Sequence, residues 1–464
     1  MVQSNEKTVF PYIPNSVPEV KSQMLAEVGA SEIMDLYAEI PAQLRFQGQM
    51  NLPEPILDEY SLKRHLRGLL EENKNCEEYL NFLGAGCAQH FVPAVCDEIN
   101  GRGEFLTAYV GESYADHGKW QALFEYCSLM GELLDMDVLS CPLYDGAQAA
   151  ATSVRMAARI NGRREVLIPK TMNPESSQVL RNYCQPDLSL VEVGFHPQTG
   201  QLDLNDLSGK ISAKTAAVFI ENPSYLGFFE DAAEEIGRLA QQQGAEFAVY
   251  TDPISLGVLA PPAHYGANFA CGDFQPLGMH LQAGGGLGGF IATADDMKYV
   301  SEFKDLMFGI TETVQPGEYG FGEVLFDRTS YGSREHGKEY TGTTTGLWAI
   351  TAAVYLSLMG PRGMEQTGKT IMQMSQYAAR CLSAIDGVEL RFNSPFFKEF
   401  VLNFDRTNQT VAQINRSLLE NKIFGGKDLS RDFPILGQSA LFCVTETKTK
   451  EDIDRLTSVV RKVI

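Results

Sequence analysis

Residues 246–278 read EFAVYTDPISLGVLAPPAHYGANFACGDFQPLG, and this stretch decides the fold. Its first five residues, GluPheAlaValTyr, form a short apolar run that ends at ThrAspPro, 251–253, which marks a strand followed by a turn. Similar runs lie upstream at 165–169 (GluValLeuIlePro) and 216–220 (AlaAlaValPheIle), and two more short strands are expected at 268–271 and 288–293. Between the runs, Asp231 is expected to begin a helix, with Glu234 three residues on completing a capping box and Gly244 as its stop. Continuous apolar strands alternating with helices predict a mostly parallel sheet covered on both faces. Asp252 then falls at the carboxyl end of a strand, where such sheets bind ligands.

An Asp in that place has a known use. In fold-type I pyridoxal-phosphate enzymes it pairs with the pyridine nitrogen, and a lysine ~20–30 residues downstream forms the covalent anchor. Here no lysine occurs between Lys214 and Lys298, and Gln275 or Pro276 stands where the anchor belongs. The stretch reads either as such a fold without its anchor or as a strand-ending turn, and these residues alone favour the turn. The glycines of 283–289 neither open a helix nor carry a P-loop lysine, so they read as a turn before the strand at 288–293. TyrAspGlyAlaGln, 144–148, starts a helix whose free N–H groups suit an anion, although capping by Asp145 accounts for it equally well.

Outward from this centre, the first 60 residues are proline-rich and read as an arm. A helix follows, with Ser61 as N-cap and Leu62, Leu66, Leu69 and Leu70 on one face. Leu347–Met359 is apolar but too short to span a membrane and reads as a buried helix. Beyond residue 360 the order is helix 364–384, strand 398–404, helix 410–421, strand 440–445 and helix 450–463, a small α+β unit. The expected domains are thus an arm at 1–60, a large α/β domain at 61–360 and a small C-terminal domain at 361–464. The formal charge of −21 disfavours nucleic acid and anionic membrane as partners. Nine irregularly spaced cysteines, no C-x-x-C and no secretory leader point to reduced thiols in the cytoplasm. No histidine pair has metal spacing, so no metal site is expected.

The chain resembles the glycine cleavage system P-protein family, in its two-subunit bacterial form, and within it the N-terminal-half (alpha) subunit. The likeness rests on PheLeuGlyAlaGly (82–86), GluPheLeuThrAlaTyr (104–109), TyrAspGlyAla (144–147), AspProIleSerLeuGly (252–257), GlyIleThrGluThr (309–313), PheAsnSerProPhePheLysGluPhe (392–400) and GlyGlyLysAspLeu (425–429), and it covers nearly the whole length. It implies an aspartate-aminotransferase-like large domain with a small C-terminal domain. It also implies a homologous second subunit in an alpha2beta2 assembly, and pyridoxal 5'-phosphate anchored on that second subunit rather than on this chain. The activity implied is that of an oxidoreductase acting on CH–NH2. Glycine, a small amino-acid substrate, loses CO2 and passes its aminomethyl group to the lipoyl arm of H-protein.

Two runs depart from the family pattern. They are ValGlyGluSerTyrAlaAspHisGly at 110–118 and LysGluTyrThrGlyThrThrThr at 338–345, and the resemblance places both at the shared site. The candidates are therefore His117, Tyr109 and Asp116 for catalysis, and Asp252, Gln275, Thr343 and Thr344 for the cofactor. Glu112, Arg334 and Glu335 are candidates for the substrate or interface. The departures leave two further readings open: a diverged paralogue acting on another amino acid or acceptor, and a silent subunit that stabilises its partner.

Overall fold

The computed structural model describes residues 17–46, 48, 50–106, 117–305, 307–323, 328–339 and 341–464, without the side chains of His117, Tyr331 and Arg334. The chain forms two compact units, one ending at Asn73 and one beginning at Lys74. In the first, the helices Pro18–Glu27 and Glu59–Leu70 flank two short 3-10 turns and extended chain. The second helix is capped by Asp58, not Ser61: Asp58 accepts the Ser61 amide at 2.7 Å, which puts Ser61 in the first turn. Both residues are good caps, and the leucine periodicity does not distinguish them.

The second unit is built on a seven-stranded sheet in the order Val138–Leu139, Gly289–Thr293, Phe269–Asp273, Glu246–Tyr250, Thr215–Glu221, Glu165–Pro169, Ser189–Val193. The last five of these run parallel, while Gly289–Thr293 is antiparallel to both its neighbours. Alternate residues of each strand enter different cores. Val166, Ile168, Ala217, Phe219 and Ala248 pack on one side, and Leu167, Val218, Ile220, Phe247 and Val249 on the other. This period of two, with both sides apolar, is what the continuous runs demanded.

The helix Gly146–Asn161 lies on the first side, and its alanines at 149–151 and 157 are fully buried. The helix expected from Asp231 begins instead at Ala233 behind Ala232, with no side-chain cap, because the chain first turns through an Ala233 N–H to Glu230 carbonyl bond at 3.2 Å. Gly244, at φ +65°, ends it as expected. The run Gly346–Ser383 is helical but broken at Gly360 (φ 57°, ψ −178°), just ahead of Pro361. Beyond it a four-stranded antiparallel sheet orders Glu389–Leu390, Glu399–Asn403, Ser439–Cys443 and Lys427–Asp428. The helices Val411–Glu420 and Lys450–Val463 complete this part, each opened by a capping box, Thr410 with Gln413 and Thr449 with Asp452.

Candidate functional site

At the carboxyl ends of the parallel strands lies a cavity of ≈ 710 Å³, counted to its open mouth. The strand ends contribute Glu221, Tyr250 to Asp252, Asp273 and Gln275. The loop at 86–88 and the start of the strand Glu399–Asn403 close it from the other side, bringing Phe397, Lys398 and Glu399.

Lys398 is the only lysine lining the cavity among the described residues. Its Nζ lies 2.5 Å from Asp252 Oδ2 and 3.3 Å from His90 Nε2. An ammonium only donates, so His90 Nε2 accepts, and the ring proton sits on Nδ1. That Nδ1 donates to Glu446 Oε2 at 2.9 Å. Burial works against the Lys398 charge, but Asp252 outweighs it and holds the amine above its ordinary range. Burial likewise works to raise Glu446, yet His90 and the Phe91 amide, 2.7 Å from Oε1, hold it down at about 2. Asp252, Lys398, His90 and Glu446 thus form one connected line of charge and hydrogen bond.

The other carboxyls are held by backbone. Asp273 Oδ2 accepts the Gly146 amide at 3.0 Å, and its Oδ1 accepts those of Gln275 at 2.8 Å and Gly288 at 3.3 Å. Gly146 is required there, since a Cβ would come 2.6 Å from the Tyr250 hydroxyl. Glu221 accepts the amides of Asn173 and Tyr225 at 3.2 and 3.0 Å. Burial pushes Glu221 and Asp273 up to about 7 in spite of these bonds. Glu399 accepts the Ala85 amide at 2.6 Å, and burial raises it too, against the pull of Lys398. Gly227, at φ +97°, lets its turn pass so close to Glu399 that a Cβ would lie 1.9 Å from the Glu399 carbonyl oxygen.

Of the residues proposed from sequence, the structure brings Asp252 and Gln275 into this cavity. Gln275 ties down backbone: its Nε2 donates to the carbonyls of Ala88 and Met279, both at 3.1 Å, and its Oε1 accepts the Ala88 amide at 3.4 Å. Thr343 is exposed and does not line the cavity, and neither does the half-buried Thr344. Their segment is pinned at one end by Glu339, whose Oε1 meets Arg155 Nε at 2.8 Å and Arg159 Nη1 at 3.0 Å. At the other end the Thr345 hydroxyl donates to the Leu143 carbonyl at 2.7 Å. Glu335 is exposed in the 3-10 turn Ser330–His336, which also contains Arg334. Tyr109, Glu112 and Asp116 lie outside the described residues, and His117 opens the turn His117–Lys119.

Sequence reasoning missed Lys398, Glu399, Glu221 and Asp273. One signal was available for Lys398, a lysine set between aromatic residues at the head of an apolar strand, PhePheLysGluPheValLeu at 396–402.

The residues present do not fit pyridoxal phosphate. A phosphate would need the free amides at the start of the helix Gly146–Asn161, but Asp273 already takes the Gly146 amide and Asp145 takes that of Gln148 at 2.7 Å. Those two carboxylates would also repel it. Asp252, in the place of a pyridinium partner, faces Lys398, and Lys398 is thereby tied up as an anchor.

The model of the family "Glycine cleavage system P-protein" matches residues 11–460. A probable glycine dehydrogenase (decarboxylating) subunit 1 of Staphylothermus marinus is 38% identical over 463 residues, 98% of each chain. Its counterpart in Desulfitobacterium hafniense is 37% identical over 96% of this chain and 98% of its own. Among solved structures, an inhibitor-bound glycine decarboxylase (P-protein) of the glycine cleavage system superposes with a TM-score of 0.84 at 32% identity, covering 98% of this chain and 100% of the other. A sphingosine-1-phosphate lyase from Burkholderia pseudomallei shares the fold alone, with a TM-score of 0.65 at 13% identity over 91% and 94% of the two chains. The expected aspartate-aminotransferase-like, fold-type I architecture is borne out.

Proposed function

The chain belongs to the glycine cleavage system P-protein family, and from that premise we propose that it is subunit 1 of a decarboxylating glycine dehydrogenase. In this reading it works as part of a complex with a homologous subunit 2, in an alpha2beta2 assembly, and is an enzyme subunit only there. Pyridoxal 5'-phosphate is anchored on the partner's lysine, and this chain helps wall the partner's site. Glycine loses CO2, and the aminomethyl group passes to lipoyl H-protein. The working compartment is the cytoplasm; among the described residues no helix is long and apolar enough to cross a membrane.

The observation that carries the reading is the full-length likeness to decarboxylase subunits named as subunit 1. The cavity agrees with it, because its lysine is committed to Asp252 and its helix start to Asp273. The test is co-expression with the homologous subunit and an assay of glycine-dependent exchange of labelled CO2. Exchange by the pair, and none by either chain alone, is the expected result. Borohydride reduction of this chain with pyridoxal phosphate should label no single lysine stoichiometrically. A stoichiometric label on this chain would make it a complete enzyme and end the proposal.

A further inference from the structure

The cavity that turns pyridoxal phosphate away is not chemically neutral. Glu221, Asp252, Asp273 and Glu399 line it against Lys398, the one cation among the described lining residues, so the lining turns acidic as Glu221 and Asp273, pushed up to about 7 by burial, lose their protons. Water can fill such a space, but it does not offset the charge. Two hydroxyls sharpen the picture. Ser224 and Thr251, 6% and 0% exposed, both line the cavity, and neither Oγ has a hydrogen-bond partner. Native interiors rarely leave buried hydroxyls unpaired, and groups left so mark a place where something else supplies the partner. A hydroxyl can accept a proton from a donor while turning its own proton toward a carboxylate.

Tyr250 lines the cavity beside them. Asp273, Glu221 and Asp252 each lie close enough to Tyr250 to push its phenol above the ordinary range, behind burial as the main cause. Tyr250 and all three carboxyls line the same cavity.

We propose that this cavity binds a small primary ammonium compound. Its N–H donors meet the carboxylates and the unpaired hydroxyls of Ser224 and Thr251, and its charge offsets the acidic excess. Charge-assisted donation of this kind is roughly twice as strong as a neutral hydrogen bond. The requirement is for N–H as well as charge, because the hydroxyls and carboxylates accept directional bonds. A phosphate-bearing ligand is repelled by the same residues. The inference rests on the cavity's own residues and stands apart from the proposed activity, so its test reads binding and not turnover.

The experiment is calorimetric titration of the full-length chain, purified with its partner subunit, at fixed ionic strength. Methylammonium chloride is the first probe; tetramethylammonium, equal in charge but without N–H, is the second. Methylammonium is expected to bind saturably, one per copy of this chain, and on the order of tenfold more tightly than tetramethylammonium. Glu221→Gln should weaken it by about tenfold, and the milder Ser224→Ala by roughly threefold, which decides the matter if the first variant fails to assemble. Equal affinity for the two cations, an unchanged isotherm in both variants, or no saturable heat at all would overturn the assignment.

Discussion

The cavity and the N-terminal arm are opposites. Around the cavity, buried polar groups find partners within the chain: Lys398 pairs with Asp252, His90 behind it with Glu446, and Asp273 takes three backbone amides. In the arm, apolar groups stand in the open. Leu44, Phe46, Met50, Leu52, Leu57 and Tyr60 are each at least two-thirds exposed, and none of the helix Glu59–Leu70 is buried. Water penalises both an unpaired buried charge and an exposed apolar stripe; the chain answers the first in part by itself and leaves the second open. The cavity's charges are held largely from within, whereas the arm leaves an apolar face for the proposed assembly to bury.

That contrast is broken most severely by removing the arm. Deleting residues 1–50 from the co-expressed chain should abolish co-purification with the homologous subunit, since obligate interfaces bury on the order of 2,000 Å² or more and rest on apolar contact. Intact assembly and full activity after the deletion would show that the exposed face is idle.

Next in size is Lys398→Met. It leaves Asp252 buried without its cation, and breaking one side of such a pair costs about 3–5 kcal/mol. The denaturant midpoint should fall accordingly, and adding Asp252→Leu should restore most of it. A single variant as stable as the parent would mean that the pair contributes nothing.

A more graded effect comes from pH. Glu221, Asp273 and Glu230 titrate at about 7 in the fold and Asp305 at about 6, each raised chiefly by burial, against about 4 for carboxyls in an unfolded chain. The folded state keeps these protons where the unfolded chain has lost them. Their contribution is complete below pH ~4, declines as pH rises, and is gone above pH ~7. Glu446, held at about 2, acts in the opposite sense, and only at pH below ~4. The midpoint at pH 5.5 should exceed that at pH 7.5, and Asp273→Asn should flatten the difference. A midpoint that rises over this interval would contradict the burial argument.

How far the sequence disclosed all this follows from where each partner sits. The strand Glu246–Tyr250 and the helix at 450–463 were legible because their signals are local: an apolar run with a turn after it, and a helical pattern within one short stretch. Asp252 was legible as a strand end for the same reason. Its ion pair was not, because Lys398 reaches it from the bend just ahead of the strand Glu399–Asn403, in the C-terminal sheet, and no periodicity links the two. Asp273 reads as one more strand-ending acid; only the fold shows that the amide of Gly146 comes to it. The two departing runs were legible as differences but not as contacts. Glu339, inside the second, binds Arg155 and Arg159 and so belongs to the scaffold.

The smallest effect tests a residue that combines features of both regions. Thr343 belongs to the compact unit yet is exposed, on a segment held firmly by Glu339 and Thr345. A side chain presented on so fixed a support suits contact with a partner's site, and the resemblance places this run there. The plainer account is a surface loop that has drifted, since loops vary most. Thr343→Ala, with His117→Ala from the first departing run as its companion, separates the two in the assembled complex. Each should lower turnover by about tenfold, on the order of 1.4 kcal/mol of transition-state stabilisation, with assembly unchanged. Thr345→Ala is the control, because its hydroxyl is spent on the Leu143 carbonyl, so its loss should lower stability more than turnover. Parental turnover in Thr343→Ala and His117→Ala would leave both runs as loops and make the arm the chain's one outward-facing contribution to the complex.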